Sequence, residues 1–214
     1  SILSPEDGLW VQDTVELAIN LEDKNEIIDL SYSLDLGESW IKLSSHESEI
    51  NLSRLEDGAI GMAVRAIDEA GRVSIQSFSI NKDTQAPIAE FVVPVLDARV
   101  NGENTIGIHV IDAGKLISAT YISPEGERVP LENSLFITTN LGTKDKPMQE
   151  GMSFEFVDAS GNVGILDSFP FIIDQEMDLP VIEVNLPEEN EVLITDFVIS
   201  GIVYDDDKPA KIYY

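Results

Sequence analysis

Met62-Ala63-Val64-Arg65-Ala66-Ile67-Asp68-Glu69-Ala70-Gly71-Arg72-Val73 returns, in pattern though not in letter, as Met152-Ser153-Phe154-Glu155-Phe156-Val157-Asp158-Ala159-Ser160-Gly161-Asn162-Val163. In each copy apolar residues fall at every second position, an Asp-x-x-Gly turn follows, and another apolar stretch begins. Alternation of period two marks a strand with one buried face, so each copy predicts strand, tight turn, strand. Asp at the head of such a turn accepts from the backbone two residues on, and Gly supplies the positive φ that closes it. An acidic segment ending in proline follows each copy: Asp83-Thr84-Gln85-Ala86-Pro87 after the first, Asp174 to Leu179-Pro180 after the second.

Working outward from the first copy, Val15, Leu17, Ile19 and Leu21 alternate with Thr14, Glu16, Ala18 and Asn20. That predicts a half-buried strand over 14–21. Further strands are expected at Ile27 to Ser33, Ser39 to Leu43, Ile50 to Leu55, Gly58 to Ile67 and Val73 to Ile80. In the last of these Val73 and Ile75 share one parity while Phe78 and Ile80 share the other, so a bulge near Ser77 is expected. No segment carries a helical period. Short strands with turns at this spacing predict an all-β sandwich.

The whole pattern repeats. A displacement of 89 residues lays Leu17, Ile19, Leu21, Asp23 and Tyr32 onto Ile106, Ile108, Val110, Asp112 and Tyr121. One of 90 lays Asp68 and Gly71 onto Asp158 and Gly161. One of 182 lays Pro5, Leu17, Asp23, Leu30 and Tyr32 onto Pro187, Ile199, Asp205, Ile212 and Tyr214. The expected division is 1–83 and 84–175, two complete sandwiches, then 176–214, the first three strands of a third. Strand 197–204 is apolar on both faces, with Phe197, Ile199 and Val203 against Val198, Ile202 and Tyr204. It is expected to be covered on both sides, the open edges of the incomplete unit pairing with a neighbouring chain. With no leader before Ser1 and a strand pattern still running at Tyr214, the sequence reads as a segment of a longer protein.

Thirteen Lys and Arg stand against 40 Asp and Glu, a formal charge of −27 over 214 residues. Such a surface repels nucleic acid and anionic membrane. It offers many oxygen ligands to a hard cation such as calcium. Without cysteine there is no disulfide, thiolate metal site or thiol nucleophile. No apolar run approaches the roughly 18 residues that span a bilayer, so no membrane insertion is expected.

Asp158-Ala159-Ser160-Gly161-Asn162, with its alternating approach and the linker beyond, resembles the turn before the last strand of bacterial immunoglobulin-like and fibronectin-III-like surface repeats. Asp68-Glu69-Ala70-Gly71-Arg72 fits the same pattern with Arg in place of Asn, and Asp83-Thr84-Gln85-Ala86-Pro87 fits their linker. The resemblance implies tandem immunoglobulin-like β-sandwiches in a stalk or adhesin-like segment of an exported protein. The expected location is extracellular or at the cell surface, with the periplasm as the other compartment. The expected partners are neighbouring repeats of the parent chain, a host or cell-surface protein or glycan, and a second copy through the open third unit.

In such a sandwich the loop between the second and third strands and the turn before the last strand lie where the chain enters. In the second unit these carry Asp112 and Asp158, and the entering linker carries Asn81, Asp83 and Gln85. Asp83, Asp112 and Asp158 are therefore candidate calcium ligands at one junction, the other reading being that they are solvated turn carboxylates. The same two readings apply at the next junction, where Asp174, with Glu176 and Asp178, would face Asp205, Asp206 and Asp207.

Ser33-Leu34-Asp35-Leu36-Gly37-Glu38-Ser39-Trp40 matches the Asp-box hairpin that recurs in sialidase propellers. The box is a structural hairpin there, and here it occurs once, without an arginine cluster, so no enzyme is expected. His46 and His109 have no second ligand at zinc spacing. Trp10 and Trp40 are expected to pack rather than form a sugar platform. The expected role is non-catalytic spacing and presentation. The competing reading is a carbohydrate-binding accessory module of a secreted glycan-active enzyme.

Overall fold

The computed structural model describes residues 1–100, 102–131, 135–143, 146–147, 151–173, 181–186 and 198–204. All regular structure among them is β, without a helix. The first half holds β1 (Ile2–Ser4), β2 (Leu9–Val11), β3 (Thr14–Ile19), β4 (Ile27–Ser33), β5 (Ile41–Lys42), β6 (Glu47–Asn51), β7 (Gly58–Asp68) and β8 (Val73–Lys82). They form one sheet in the order β1-β3-β6 and another in the order β2-β8-β7-β4-β5. The alternating residues of β3 and β7 explain the packing. Val15, Leu17 and Ile19 from one sheet meet Met62, Val64 and Ile80 from the other in a buried aliphatic cluster. The chain starts in one sheet with β1 and crosses to the other, where β2 runs parallel to the end of β8. This strand order is that of an immunoglobulin-like sandwich.

The same order returns in β9 (Ile88–Val93), β10 (Arg99–Val100), β11 (Glu103–Ile111), β12 (Leu116–Ile122), β13 (Arg128–Pro130), β14 (Phe136–Asn140), β15 (Gly142–Thr143), β16 (Lys146–Pro147), β17 (Ser153–Asp158), β18 (Val163–Leu166) and β19 (Ile172–Ile173). Sheet β14-β11-β9 packs on β13-β12-β17-β18, and β10 pairs in parallel with β19 as β2 does with β8. Here the core is aromatic. The Phe154 ring lies 5.3 Å from Tyr121 and 5.9 Å from Phe91, between centroids. The two clusters share no residue, so each sandwich buries its own interior. Beyond them β20 (Val181–Leu186) and β21 (Ser200–Tyr204) form an antiparallel pair. Their Ile182, Val184 and Ile202 are exposed within this chain, as is Ile199 just before β21.

Several expectations are corrected. Strands β1 and β2 were not anticipated, because three residues are too few to show a period. The third strand shrinks to Ile41–Lys42, and the fourth moves back to Glu47–Asn51, before Leu52 turns into the core. There is no bulge near Ser77. Pairing of β7 with β8 is unbroken from Gly58 opposite Lys82 to Ile67 opposite Val73. Val73 and Ile75 instead face outward, each 56% exposed. Bulges do occur in β4 between Ile27 and Asp29, and in β12 between Leu116 and Ser118.

Candidate metal centre

Two turns of one design set the stage. In the first sandwich the Asp68 amide donates to the Arg72 carbonyl at 3.1 Å, and the Arg72 amide to Asp68 Oδ1 at 2.7 Å. In the second the Asp158 amide donates to the Asn162 carbonyl at 3.1 Å, and the Asn162 amide to Asp158 Oδ1 at 2.8 Å. Gly71 and Gly161 take φ of 76° and 85°, where a Cβ would be strained. The side-chain carboxylate is consumed from within the turn, so both aspartates are drawn inside and are almost completely buried.

The linker brings a third carboxylate to the second turn. Asp57 grips the chain on both sides of Asp83. Its Oδ1 accepts from Lys82 Nζ at 3.0 Å, and its Oδ2 accepts from the Thr84 amide at 3.1 Å and the Thr84 hydroxyl at 2.8 Å. The Asp83 amide donates to the Val11 carbonyl at 2.9 Å. Asp83 is therefore presented by the first sandwich as a fixed group, 2% exposed. Across the junction Asp112, in the loop from β11 to β12, and Asp158 come to meet it. One carboxylate oxygen from each of the three lies within 4.8 Å of the others. Asn162 ties the halves together: its Nδ2 donates to the Asp83 carbonyl at 2.9 Å and to Asp158 Oδ2 at 2.8 Å, while its Oδ1 accepts from Gln12 Nε2 at 2.8 Å.

The arrangement fits a hard cation on two observations. Asp83 Oδ2 and Asp112 Oδ2 are buried and have no hydrogen-bond partner, which is costly for an ionised oxygen. Both point at Gly114, where a Cβ would stand 3.0 Å from the first and 3.3 Å from the second. Gly114 thus leaves open a cradle that a side chain would fill. Burial, and then the charges of Asp158 and Asp83, push the Asp112 carboxyl above its ordinary value, against the amides of Ala113 and Gly114. Among the described residues none of the three is paired with Lys or Arg. The donors are oxygen only, the set calcium or magnesium prefers to the nitrogen and sulfur ligands of zinc.

The structure thus brings together Asp83, Asp112 and Asp158 as expected from sequence. Of the linker groups expected beside them, Asn81 turns away, its Nδ2 donating to the Gly8 carbonyl at 3.1 Å. Gln85 contributes its amide to Asp83 Oδ1 at 3.0 Å. Asp174, Asp205 and Asp207, with Glu176, Asp178 and Asp206, lie outside the described residues. The roles of Asp57 and Gln12 were missed. Neither belongs to a motif, and both act from loops that only the fold brings to the junction.

The Asp-box forms the hairpin its pattern implies. Ser33 Oγ donates to Asp35 Oδ1 at 2.5 Å, and Asp35 Oδ2 accepts from Ser39 Oγ at 2.5 Å. These hydroxyls hold the Asp35 carboxyl down to about 2. Trp40 is half-buried, with the Arg65 guanidinium 4.5 Å from its ring centroid. Trp10 is half-buried at the junction, its Cε3 beside Gly114. His109 is exposed on β11 with Nδ1 at 3.4 Å from Glu90 Oε1.

No protein-family model matches the chain, and no curated protein matches it in sequence. Among solved structures it is similar to the fibronectin(III)-like modules of CbhA from Clostridium thermocellum, at 15% identity and a TM-score of 0.48, over 81% of this chain and 93% of that one. It is also similar to part of a 1.5-MDa bacterial ice-binding adhesin, at 11% identity and a TM-score of 0.41, over 82% of this chain and 64% of the other. A third likeness is to the FN1–FN3 domains of chicken CNTN1, at 11% identity and a TM-score of 0.39, over 75% and 62% of the two chains.

Proposed function

We propose that the chain is a non-catalytic spacing and presentation segment of a bacterial surface or secreted protein, and that a divalent cation, calcium by preference, stiffens it at the junction between its sandwiches. The repeating modules would run 1–83, 84–175 and 176–214, with the exposed apolar residues of β20 and β21 as the surface for self-association. One observation carries the reading: Asp83 from one sandwich meets Asp112 and Asp158 from the other, with two carboxylate oxygens buried and unsatisfied. A cation there would bind across the seam. It would convert mutual repulsion into a bridge between two bodies that are otherwise expected to hinge. Calcium suits the site better than magnesium, since it accepts about six to eight oxygens in loose geometry.

The glycan-binding alternative has no comparable support. Trp40 is engaged by Arg65 and Trp10 by the junction. The test is calorimetric titration of the metal-free chain with calcium, paired with small-angle scattering in chelator and in calcium. Saturable binding and a narrower distribution of maximum dimensions are expected. Absence of binding heat, with scattering unchanged, would overturn the reading.

A further inference from the structure

The first sandwich contains the same acidic corner, closed by a different device. At the 89- and 90-residue displacements Asp23 corresponds to Asp112, Asn25 to Gly114, Asp68 to Asp158 and Arg72 to Asn162. We propose that Arg72 is a tethered cation occupying the place a metal takes in the second sandwich, and that the residue at this one turn position decides whether a corner is self-sealed or metal-binding. The proposal rests on the cation reading of the Asp83 site.

The geometry supports this group by group. Arg72 Nη2 lies 2.5 Å from Asp68 Oδ2 and 3.4 Å from Asp23 Oδ1, so the guanidinium bridges the two carboxylates. Its Nε donates to Asp68 Oδ2 at 2.7 Å, and Asn25 Nδ2 adds a further bond there at 3.1 Å. Counting these side chains, two acids and one guanidinium leave the first corner at −1. In the second corner the corresponding Asp112 and Asp158, with neutral Asn162, leave −2, and the linker adds Asp83. Asn162 is short and neutral. It reaches Asp158 and the Asp83 carbonyl, while Asp112 Oδ2 is left without a partner. Where Asn25 supplies an amide, Gly114 supplies space, and the Asp83 carboxylate occupies its edge. Losing Arg removes the resident positive charge.

The consequence is an asymmetric response, in which chelation loosens the second corner and leaves the first unchanged. The experiment uses terbium, a hard oxygen-seeking ion, with emission sensitised by Trp10, whose indole borders Gly114. The unaltered chain should give saturable emission that calcium displaces. Asn162→Arg should weaken terbium and calcium binding by at least about ten-fold, the equivalent of about 1.4 kcal/mol. Its second sandwich should unfold in chelator at a temperature no lower than that of the unaltered chain, which also shows that the variant folds. Asn162→Gln, longer but uncharged, should bind within about ten-fold of the unaltered chain. Full binding by Asn162→Arg, or equal loss in the Gln and Arg variants, would overturn the proposal and leave the cation site standing. Absence of saturable emission and of calcium binding in the unaltered chain would overturn the cation reading itself, and this proposal with it.

Discussion

Replacing Asp112 by Asn should change the stability of the chain in opposite directions with and without metal. Without metal, Asp112 carries a charge in a half-buried pocket beside two others, all with an oxygen within 4.8 Å. At that separation and an effective dielectric near 20, one like-charge pair repels by about 3.5 kcal/mol. Solvent reaches Asp112, and screening reduces what can be recovered, so relief on the order of 1–2 kcal/mol is expected at low salt. For a sandwich of this size that raises Tm by roughly 4–16 °C, at about 4–8 °C per kcal/mol. With calcium a hundredfold above its Kd, the unaltered chain gains about 2.7 kcal/mol, and the variant forfeits much of this with its charged ligand. Scanning calorimetry in chelator and in excess calcium would display the crossing. A variant equally destabilised in both buffers would refute the reasoning, since Asp112 would then be holding the loop by hydrogen bonds alone. So would a calcium shift that survives the substitution intact.

Three further outcomes are expected. Gly114→Ala would place a Cβ 3.0 Å from Asp83 Oδ2, and should weaken calcium binding with little effect on the metal-free melt, because Gly114 has no positive φ to lose; titration calorimetry checks it. Phe154→Ala empties the middle of the aromatic core and should cost about 3–5 kcal/mol; hydrogen exchange should show the loss in the second sandwich and spare the first, because the cores are separate. Asp57 is held down to about 2 from an ordinary 3.8, by the Lys82 ammonium first and then by Thr84. Its folded value lies below its unfolded one, so its contribution is complete above pH 3.8 and is lost as pH falls towards 2. A carboxyl NMR titration should place its midpoint near 2, and Asp57→Asn should abolish that portion of the acid dependence.

What could be read from the sequence followed from period and spacing. The alternation in Thr14–Ile19, Gly58–Asp68 and Ser153–Asp158 fixes which side chains face inward, and that is enough to define a sandwich. The Asp-x-x-Gly turns fix where Asp68 and Asp158 sit, and the repeat distance then aligns Asp112 with the same corner. Failures occurred where the cause is tertiary. Val73 and Ile75 look like core residues, yet they face solvent, because the continuous pairing with β7 puts them on the side of β8 opposite buried Ile80. The parity change at Ser77 therefore needed no bulge. Asp57 looks like any loop carboxylate, and its grip on Lys82 and Thr84 arises only once β7 and β8 are paired. The exchange of Arg72 for Asn162 is visible in the sequence. Its meaning is not, because it depends on seeing the guanidinium lie between two carboxylates.

The clamp on the linker determines what a cation at this junction could do. If residues 82–84 were free, binding energy at Asp83 would go first into ordering the linker, whose backbone entropy is about 1–2 kcal/mol per residue. The clamp has already met that cost. Asp57 fixes Lys82 and Thr84, and the Val11 carbonyl fixes the amide of Asp83 between them. What stays adjustable is the placement of the second sandwich, held at this seam by the bonds of Asn162 to Gln12 and to the Asp83 carbonyl. Two such bonds contribute only about 0.5–1.5 kcal/mol each, less than three converging carboxylates, two of them buried, can oppose. A bound cation reverses the sign of that opposition, so its free energy falls on the angle between the bodies. Stiffness at the junction should then follow metal occupancy and not chain length, which is the behaviour required of a spacer that must hold a module at a set distance.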